Sequence, residues 1–294
     1  MTTLLRSLLF VPGSSTRMID KSFGVDADAV IYDLEDAVSP AEKDHARSLV
    51  VAALRRSPRT GPARWVRING VGTRTQVDDV TAVVAAAPDV IVLPKADSAT
   101  LSVLEAQLDE LETDRPIRIS ALIETCRGLL DVEQMCLSSR RLVALQLGAE
   151  DLTKQIGVPR TPQGTEILAA RSRLVIVGHA FGKHVIDTPN VNVHDEDALA
   201  ADVARARALG MTGKPCIHPR QIATVNEAFS PSAEAIAEAS RIVQAFDEAL
   251  AQGKGASALD GQMIDAPIVE RAKALLERAA AIESKSSKQI TERG

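Results

Sequence analysis

Two runs decide the fold: RISALIET (residues 118–125) and LVALQLGAEDL (residues 142–152). Each is a short apolar strand that stops on a carboxylate. In the first, Ile119, Ala121, Leu122 and Ile123 lead to Glu124; in the second, Leu142, Val143, Ala144, Leu145 and Leu147 break at Gly148 and present Glu150 and Asp151. The residues between have helical period, so 117–153 reads as strand, helix, strand. Parallel strands joined in this way lie side by side and end on one rim. Glu124 and Asp151 can then converge on one divalent cation. Two carboxylates with no thiol or imidazole nearby favour magnesium, which takes hard oxygen donors and leaves positions for water and substrate. The alternative is structural, with Glu124 in the cap region of the next helix and Asp151 capping a turn.

Outward from this unit the same alternation continues. SLLFV (7–11), AVIYDL (29–34), RWVRI (64–68), DVIVLP (89–94), IRISALI (117–123), LVALQL (142–147), HVIDT (184–188) and KPCIH (214–218) read as strands. Helical stretches separate them, two of which start at the candidate caps Ser39 and Ser98. Eight strands alternating with helices predict a (β/α)8 TIM barrel, with a doubly wound open sheet as the alternative. From about Phe229 the strand signal stops. SAEAIAEASRIVQAFDEALAQ and APIVERAKALLERAAAI read as helices, GKGASALDGQ as a mobile, glycine-bearing linker, and residues 284–294 as a frayed end. The expected organisation is a barrel over residues 1–228 and a C-terminal helical extension over residues 229–294.

Composition narrows the function. With 294 residues, 45% hydrophobic but only 2% aromatic, Val, Ile, Leu and Ala must fill the core, as in parallel sheets covered on both faces. A net charge of -5 leaves no electrostatic footprint for nucleic acid or an anionic membrane. The apolar start is cut by Pro12 and Gly13 before it could be a signal core, and Cys126, Cys136 and Cys216 form no CxxC pair, so a cytoplasmic protein with reduced thiols is expected. No G-x-S-x-G elbow, P-loop or H-x-x-x-H pair is present, and NGVGTRT lacks the third glycine of a dinucleotide loop.

The strand ends carry Asp33, Glu35, Asp36, Arg67, Asn69, Lys95, Glu124, Glu150, Asp151, Asp187 and His218. So many ionisable groups on one rim must pair or bind something. Arg67, inside VRIN, either recognises a substrate carboxylate in the barrel mouth or pairs structurally with Glu35 or Asp36. The Gly148, Ala149, Glu150 turn offers backbone N–H groups to the same carboxylate. Arg17 and Lys21, on the first helix, either receive the phosphates of a large anionic ligand or form a solvated face. Lys95 fits an ion pair better than a Schiff base, since neighbouring acids hold it protonated. His218 fits a hydrogen bond closing the eighth strand.

In their order RSLLFVPG, DAVIYDLEDAV, RWVRING, VLPKADS, ALIET, LGAEDL, CIHP and GQMIDAP, the motifs resemble the family of citrate lyase β subunits and malyl-CoA or citramalyl-CoA lyases. The resemblance covers essentially the whole chain. It implies a magnesium-dependent barrel, usually a homotrimer, that splits a carbon–carbon bond of a β-hydroxyacyl-CoA thioester into acetyl-CoA and a 2-keto acid, or runs the reverse Claisen condensation. Glu124 and Asp151 match the metal ligands, Arg67 the carboxylate-holding arginine, and residues 148–150 its backbone clamp. Asp265, otherwise a helix cap before Pro267, matches the acid/base supplied by a neighbouring subunit's extension. The rival readings are a citrate lyase β subunit acting on citryl-acyl carrier protein with other lyase subunits, a CoA-independent pyruvate aldolase, and a non-catalytic small-molecule-binding subunit.

Overall fold

The computed structural model describes residues 4–57, 61–111, 116–251, 253, 257–259 and 262–293. The chain divides into two compact units, one spanning Leu5–Asn226 and the other running from Glu227 onward.

In the first unit all eight apolar runs form strands: β1 (Ser7–Pro12), β2 (Ala29–Asp33), β3 (Ala63–Arg67), β4 (Val90–Leu93), β5 (Arg118–Ile123), β6 (Leu142–Leu147), β7 (His184–Ile186) and β8 (Lys214–Cys216). Their pairing is parallel throughout, in the order β7-β6-β5-β4-β3-β2-β1-β8. The circle closes between β7 and β8 through an isolated Ile186–Gly213 bridge and two backbone hydrogen bonds, Asp187 N to Gly213 O and Thr212 N to Val185 O. This is the (β/α)8 barrel expected. Its interior is filled by alternate strand residues, among them Leu8, Ala29, Ile31, Trp65, Val92, Leu122, Ala144 and Ile186, and such layers leave no open pore.

Helices α1 (Thr16–Ser22), α2 (Lys43–Arg56), α3 (Arg74–Val84), α4 (Ser98–Leu111), α5 (Cys126–Ser138), α6 (Ala149–Ile156), α7 (Leu168–Ala180), α8 (Glu196–Leu209) and α9 (Gln221–Ala228) follow the strands. In α2 the buried residues are Ala46, Val50, Ala53 and Leu54, one stripe at helical spacing that packs inward. Helix α8 begins where the Asp195 side chain accepts from Ala198 N and stops at Gly210, whose φ of 101° suits glycine. Two expected caps differ. Ser39 precedes a 3-10 turn and donates to Glu42 Oε2 instead of accepting a backbone N–H. At α4 the cap is Asp97, whose Oδ1 accepts from Thr100 N, because the longer carboxylate one residue upstream reaches the free donors first.

Strand β6 carries a register shift against β5: Ile119 faces Leu142 but Ser120 faces Ala144. Val143 is the extra residue. Its effect is to set Ala144 and Gln146 beside Ser120 and Leu122 on the inward face, with Gly148 beside Glu124 one step further on.

The second unit packs α10 (Ala233–Ala251) against α11 (Ala266–Arg293), with Phe246, Ile264 and Val269 at its core. Two expectations are corrected there. Ser257–Leu259 and Gln262–Ile264 pair as an antiparallel ladder, β9 and β10, where the sequence reading placed a strandless linker. The signal for it is the Asp260-Gly261 dipeptide between two short triplets, Ser257–Leu259 and Gln262–Ile264. The rest of that linker, Lys254 to Ala256 with Asp260 and Gly261, lies outside the described residues. The tail expected to fray from Ser284 continues as α11 to Arg293, in keeping with a run of helix formers unbroken by glycine or proline.

Candidate active site

The C-terminal ends of the strands surround a cavity of about 470 Å³. Its mouth is charged and its floor is apolar. Arg67, Glu124, Gly148, Ala149, Glu150 and Asp151 all line it.

Glu124 is buried at 4% exposure. It does not cap the next helix, because Thr125 does so by accepting from Gly128 N. Its Oε1 accepts from Lys95 N at 2.8 Å, a contact made by a non-glycine residue held at φ 48°. On the other side Glu124 lies against Gly148, where a Cβ would come within 2.4 Å of the Glu124 Cβ and 2.7 Å of Oε2. Burial pushes the Glu124 carboxyl up to about 7, and the Glu35 charge adds to the rise while Lys95 opposes it.

Lys95 connects the acids. Its Nζ lies 3.0 Å from Glu35 Oε1, 3.4 Å from Asp151 Oδ2 and 3.7 Å from Glu124 Oε1. Burial alone would lower its pKa, but the hydrogen bond to Glu35 and the nearby Glu124 and Asp151 charges raise it, so the ammonium stays charged. Glu124, just beyond β5, and Asp151, in the first turn of α6 after β6, therefore face one cation-occupied point with Glu35. Among the described residues no group of three or more His, Cys, Asp or Glu is spaced to hold a metal ion by itself.

Arg67 combines both readings open to it. It lines the cavity, and it is also ion-paired: Nε donates to Asp33 Oδ1 at 2.8 Å, Nη2 donates to Asp33 Oδ2, and Nη1 lies 3.0 Å from Glu35 Oε2 and 3.4 Å from Asp36 Oδ2. The Glu35 contact is a charge contact without hydrogen-bond alignment. Beneath, the guanidinium carbon sits 5.2 Å from the centre of the Phe10 ring. Asp33 fixes one edge of the guanidinium, while its partner on the other edge, Asp36, is largely exposed.

The 148–150 turn is the N-terminus of α6, with no side chain capping it. Gly148 N is committed to Ile123 O at 2.9 Å, so that amide is not available to a ligand. Ala149 N makes a long contact of 3.3 Å to Thr188 Oγ1, and Glu150 N and Asp151 N occupy first-turn positions that have no acceptor within the helix. The Glu150 side chain is directed to Arg160 at 2.8 Å. Two further predicted residues, Arg17 and Lys21, lie exposed on α1 and do not line the cavity. His218 Nδ1 accepts from Arg220 N. In the second unit Asp265 begins α11, its Oδ1 accepting from Ile268 N at 3.3 Å.

Sequence reasoning passed over three residues here. Gln146 and Thr188 line the cavity, and Lys214 is a wholly buried lysine whose Nζ donates to Asp187 Oδ2 (2.6 Å), Asp202 Oδ2 (2.7 Å) and Thr188 O (2.7 Å). Arg171 completes the group through Asp187 and Asp202. The only signal was polarity in the wrong place: Gln146 interrupts an apolar strand and Lys214 opens one.

Residues 6–219 match the HpcH/HpaI aldolase/citrate lyase family. The chain belongs to that family. Relatives within it cover nearly the full length. A citrate lyase subunit beta of Haemophilus influenzae is 38% identical over 94% of this chain and 97% of its own length. A (3S)-malyl-CoA thioesterase of Cereibacter sphaeroides is 36% identical over 94% of this chain and 95% of its own. Among solved structures, the CitE protein of Mycobacterium tuberculosis in complex with magnesium, acetoacetate and coenzyme A superposes with a TM-score of 0.76 at 34% identity, covering 93% of this chain and 97% of that one. A citrate lyase of Burkholderia xenovorans gives a TM-score of 0.84 at 25% identity, over 95% of this chain and 92% of its own.

Proposed function

We propose that this protein is a magnesium-dependent carbon–carbon lyase that cleaves a β-hydroxyacyl-CoA thioester of the malyl, citramalyl or citryl type to acetyl-CoA and a 2-keto acid, or catalyses the reverse condensation. The observation that carries the reading is the convergence of Glu124, just beyond β5, and Asp151, in the first turn of α6, on one cation position beside Arg67.

The donor set fits the metal. Glu124 and Asp151 present hard carboxylate oxygens already arranged around a positive charge, and they would hold the ion while leaving room beside it for water and substrate. Bound there, magnesium would supply Lewis-acid polarisation of the substrate's 2-oxygen. The protein's own groups do the rest. Asp33 holds the Arg67 guanidinium in place, and a substrate carboxylate replaces the exposed Asp36 at Nη1, beside Glu35. The Ala149 and Glu150 amides, at the positive end of α6, face the same carboxylate. Lys95 keeps Glu124 oriented through its backbone N–H. Asp265 of a neighbouring copy, in a homotrimer, protonates the thioester enolate carbon on cleavage and removes a proton from it on condensation. Arg17 and Lys21 receive the phosphates of coenzyme A.

A second reading, a β subunit working on citryl-acyl carrier protein inside a larger lyase, is favoured by the near-complete match to citrate lyase subunit beta. One experiment separates them. Incubation of the purified chain with magnesium and malyl-, citramalyl- or citryl-CoA should release acetyl-CoA from at least one ester. Cleavage of citryl-acyl carrier protein alone would favour the second reading, and cleavage of none, with Asp265→Asn indistinguishable from wild type, would favour a non-catalytic binding protein.

A further inference from the structure

Among the described residues Gln146 is the only side-chain amide lining the cavity, and it has an unmet hydrogen-bonding end. It is fully buried, its Nε2 donates to Ser120 Oγ at 2.8 Å, and its Oε1 has no partner. If the amide is turned over, Ser120 donates to Oε1 and the NH2 group is left free instead, so one end stays unpaired in either orientation. Buried amides are rarely left so without a ligand or a water to receive them. Gln146 lies two residues before Gly148 on the inward face of β6, which sets it roughly 7 Å below the charged mouth. Around it the floor is apolar: Phe10, Leu122 and Pro215.

From this we infer that Gln146 is a specificity-determining residue, reading the third substituent on C2 of the keto acid and favouring a small uncharged group over a second carboxylate. The inference rests on the lyase reading above. A keto acid held by its 2-oxygen and carboxylate at the mouth has one substituent left to place. Coenzyme A is too large to enter except from the open side, because the barrel below is closed by Leu8, Ile31, Trp65 and Ile186, so that substituent points to the floor. No positive charge awaits it there. Arg67 is the only basic side chain among the described residues lining the cavity, and its one exchangeable position, now facing Asp36, is taken by the keto acid's own carboxylate. A carboxylate on the floor would lose its water and gain at most one neutral N–H from Gln146, too little to offset the desolvation of an ion.

The test is keto acid binding by calorimetry in saturating magnesium, with magnesium affinity measured separately. Wild type should bind glyoxylate or pyruvate at least about tenfold more tightly than oxaloacetate. Gln146→Lys, which puts a cation on the floor, should move the oxaloacetate-to-pyruvate ratio the other way by at least about tenfold, and Gln146→Leu should weaken glyoxylate more than pyruvate, both with magnesium affinity unchanged. Ser120→Ala, a milder change that releases the amide, should narrow the discrimination and covers the case in which a Gln146 variant fails to fold. Wild-type preference for oxaloacetate, or ratios unmoved in all folded variants, overturns the inference while leaving the lyase reading intact. Binding of no keto acid by wild type overturns that reading as well.

Discussion

The carboxylate of Glu124 and the backbone of Gly148 occupy adjoining space so closely that no side chain fits between them: a Cβ on residue 148 would lie 2.4 Å from the Glu124 Cβ. A glycine at the end of β6 is thus a steric condition for a carboxylate at the end of β5. Gly148→Ala should displace Glu124 and cost about a hundredfold in turnover, the scale of a misplaced catalytic group. Steady-state kinetics, with loss of the magnesium-induced rise in Tm, check it.

Glu124 also links the site to pH. Its carboxyl is raised to about 7 in the fold from 4.5, mainly by burial. The folded chain therefore holds that proton more tightly than the unfolded chain does. The associated stability is full below about pH 4.5 and is lost as pH rises through about 7, on the order of 3 kcal/mol for the metal-free protein. Glu124→Gln should therefore raise the Tm in EDTA at pH 8 and leave it little changed at pH 5. Magnesium should stabilise wild type more at pH 8 than at pH 5.5, where a proton competes for Glu124, and should not stabilise Glu124→Gln. Thermal unfolding across this range gives the comparison.

Arg67→Lys keeps the charge but not the planar fork that grips Asp33 with two donors. We expect kcat/KM to fall by about a hundredfold, comparable to the loss of one transition-state hydrogen-bond donor. The Tm should fall only modestly, because Asp33 still accepts from Glu35 N and Ala37 N. A Tm loss as severe as the activity loss would mark Arg67 as mainly structural.

Lys214→Met removes one cation from a buried cluster and leaves Asp187 with Arg171 and Asp202 with Arg171 and the part-exposed Arg205. Breaking such a group on one side costs about 3–5 kcal/mol. Burial would raise the Asp202 carboxyl, yet Lys214 and Arg171 outweigh it and hold the group down at about 2. Its contribution to stability is therefore present above pH 3.8 and lost as pH falls through about 2. The variant's acid-unfolding midpoint, followed by circular dichroism, should move to higher pH.

Why some of these residues could be read in the sequence and others could not follows from what each depends on. The eight strands were legible because parallel strands buried on both faces must be continuous apolar runs, and β7 and β8 were found although each pairs over only three residues. Glu124, Asp151 and Arg67 were legible as ionisable groups where such runs stop. The roles of Gln146 and Thr188 depend on the Val143 bulge and on which strand lies alongside, and register leaves no mark in one sequence. Ser98 misled for a similar reason, since the choice between two adjacent capping residues is made by reach in three dimensions. The β9–β10 ladder is masked in the sequence by Gly253, Gly255 and Gly261, a composition shared by flexible linkers and tight hairpins.

The Ile186–Gly213 seam gives the barrel one joint unlike the others. Two backbone hydrogen bonds and a clasp of ion pairs fasten it, and the clasp's lysine also holds the carbonyl of Thr188 in the cavity wall. Loosening this clasp would reach the wall through Thr188 before the remaining staves part, so closure of the cylinder and the shape of the chamber it encloses are one mechanical property in this enzyme.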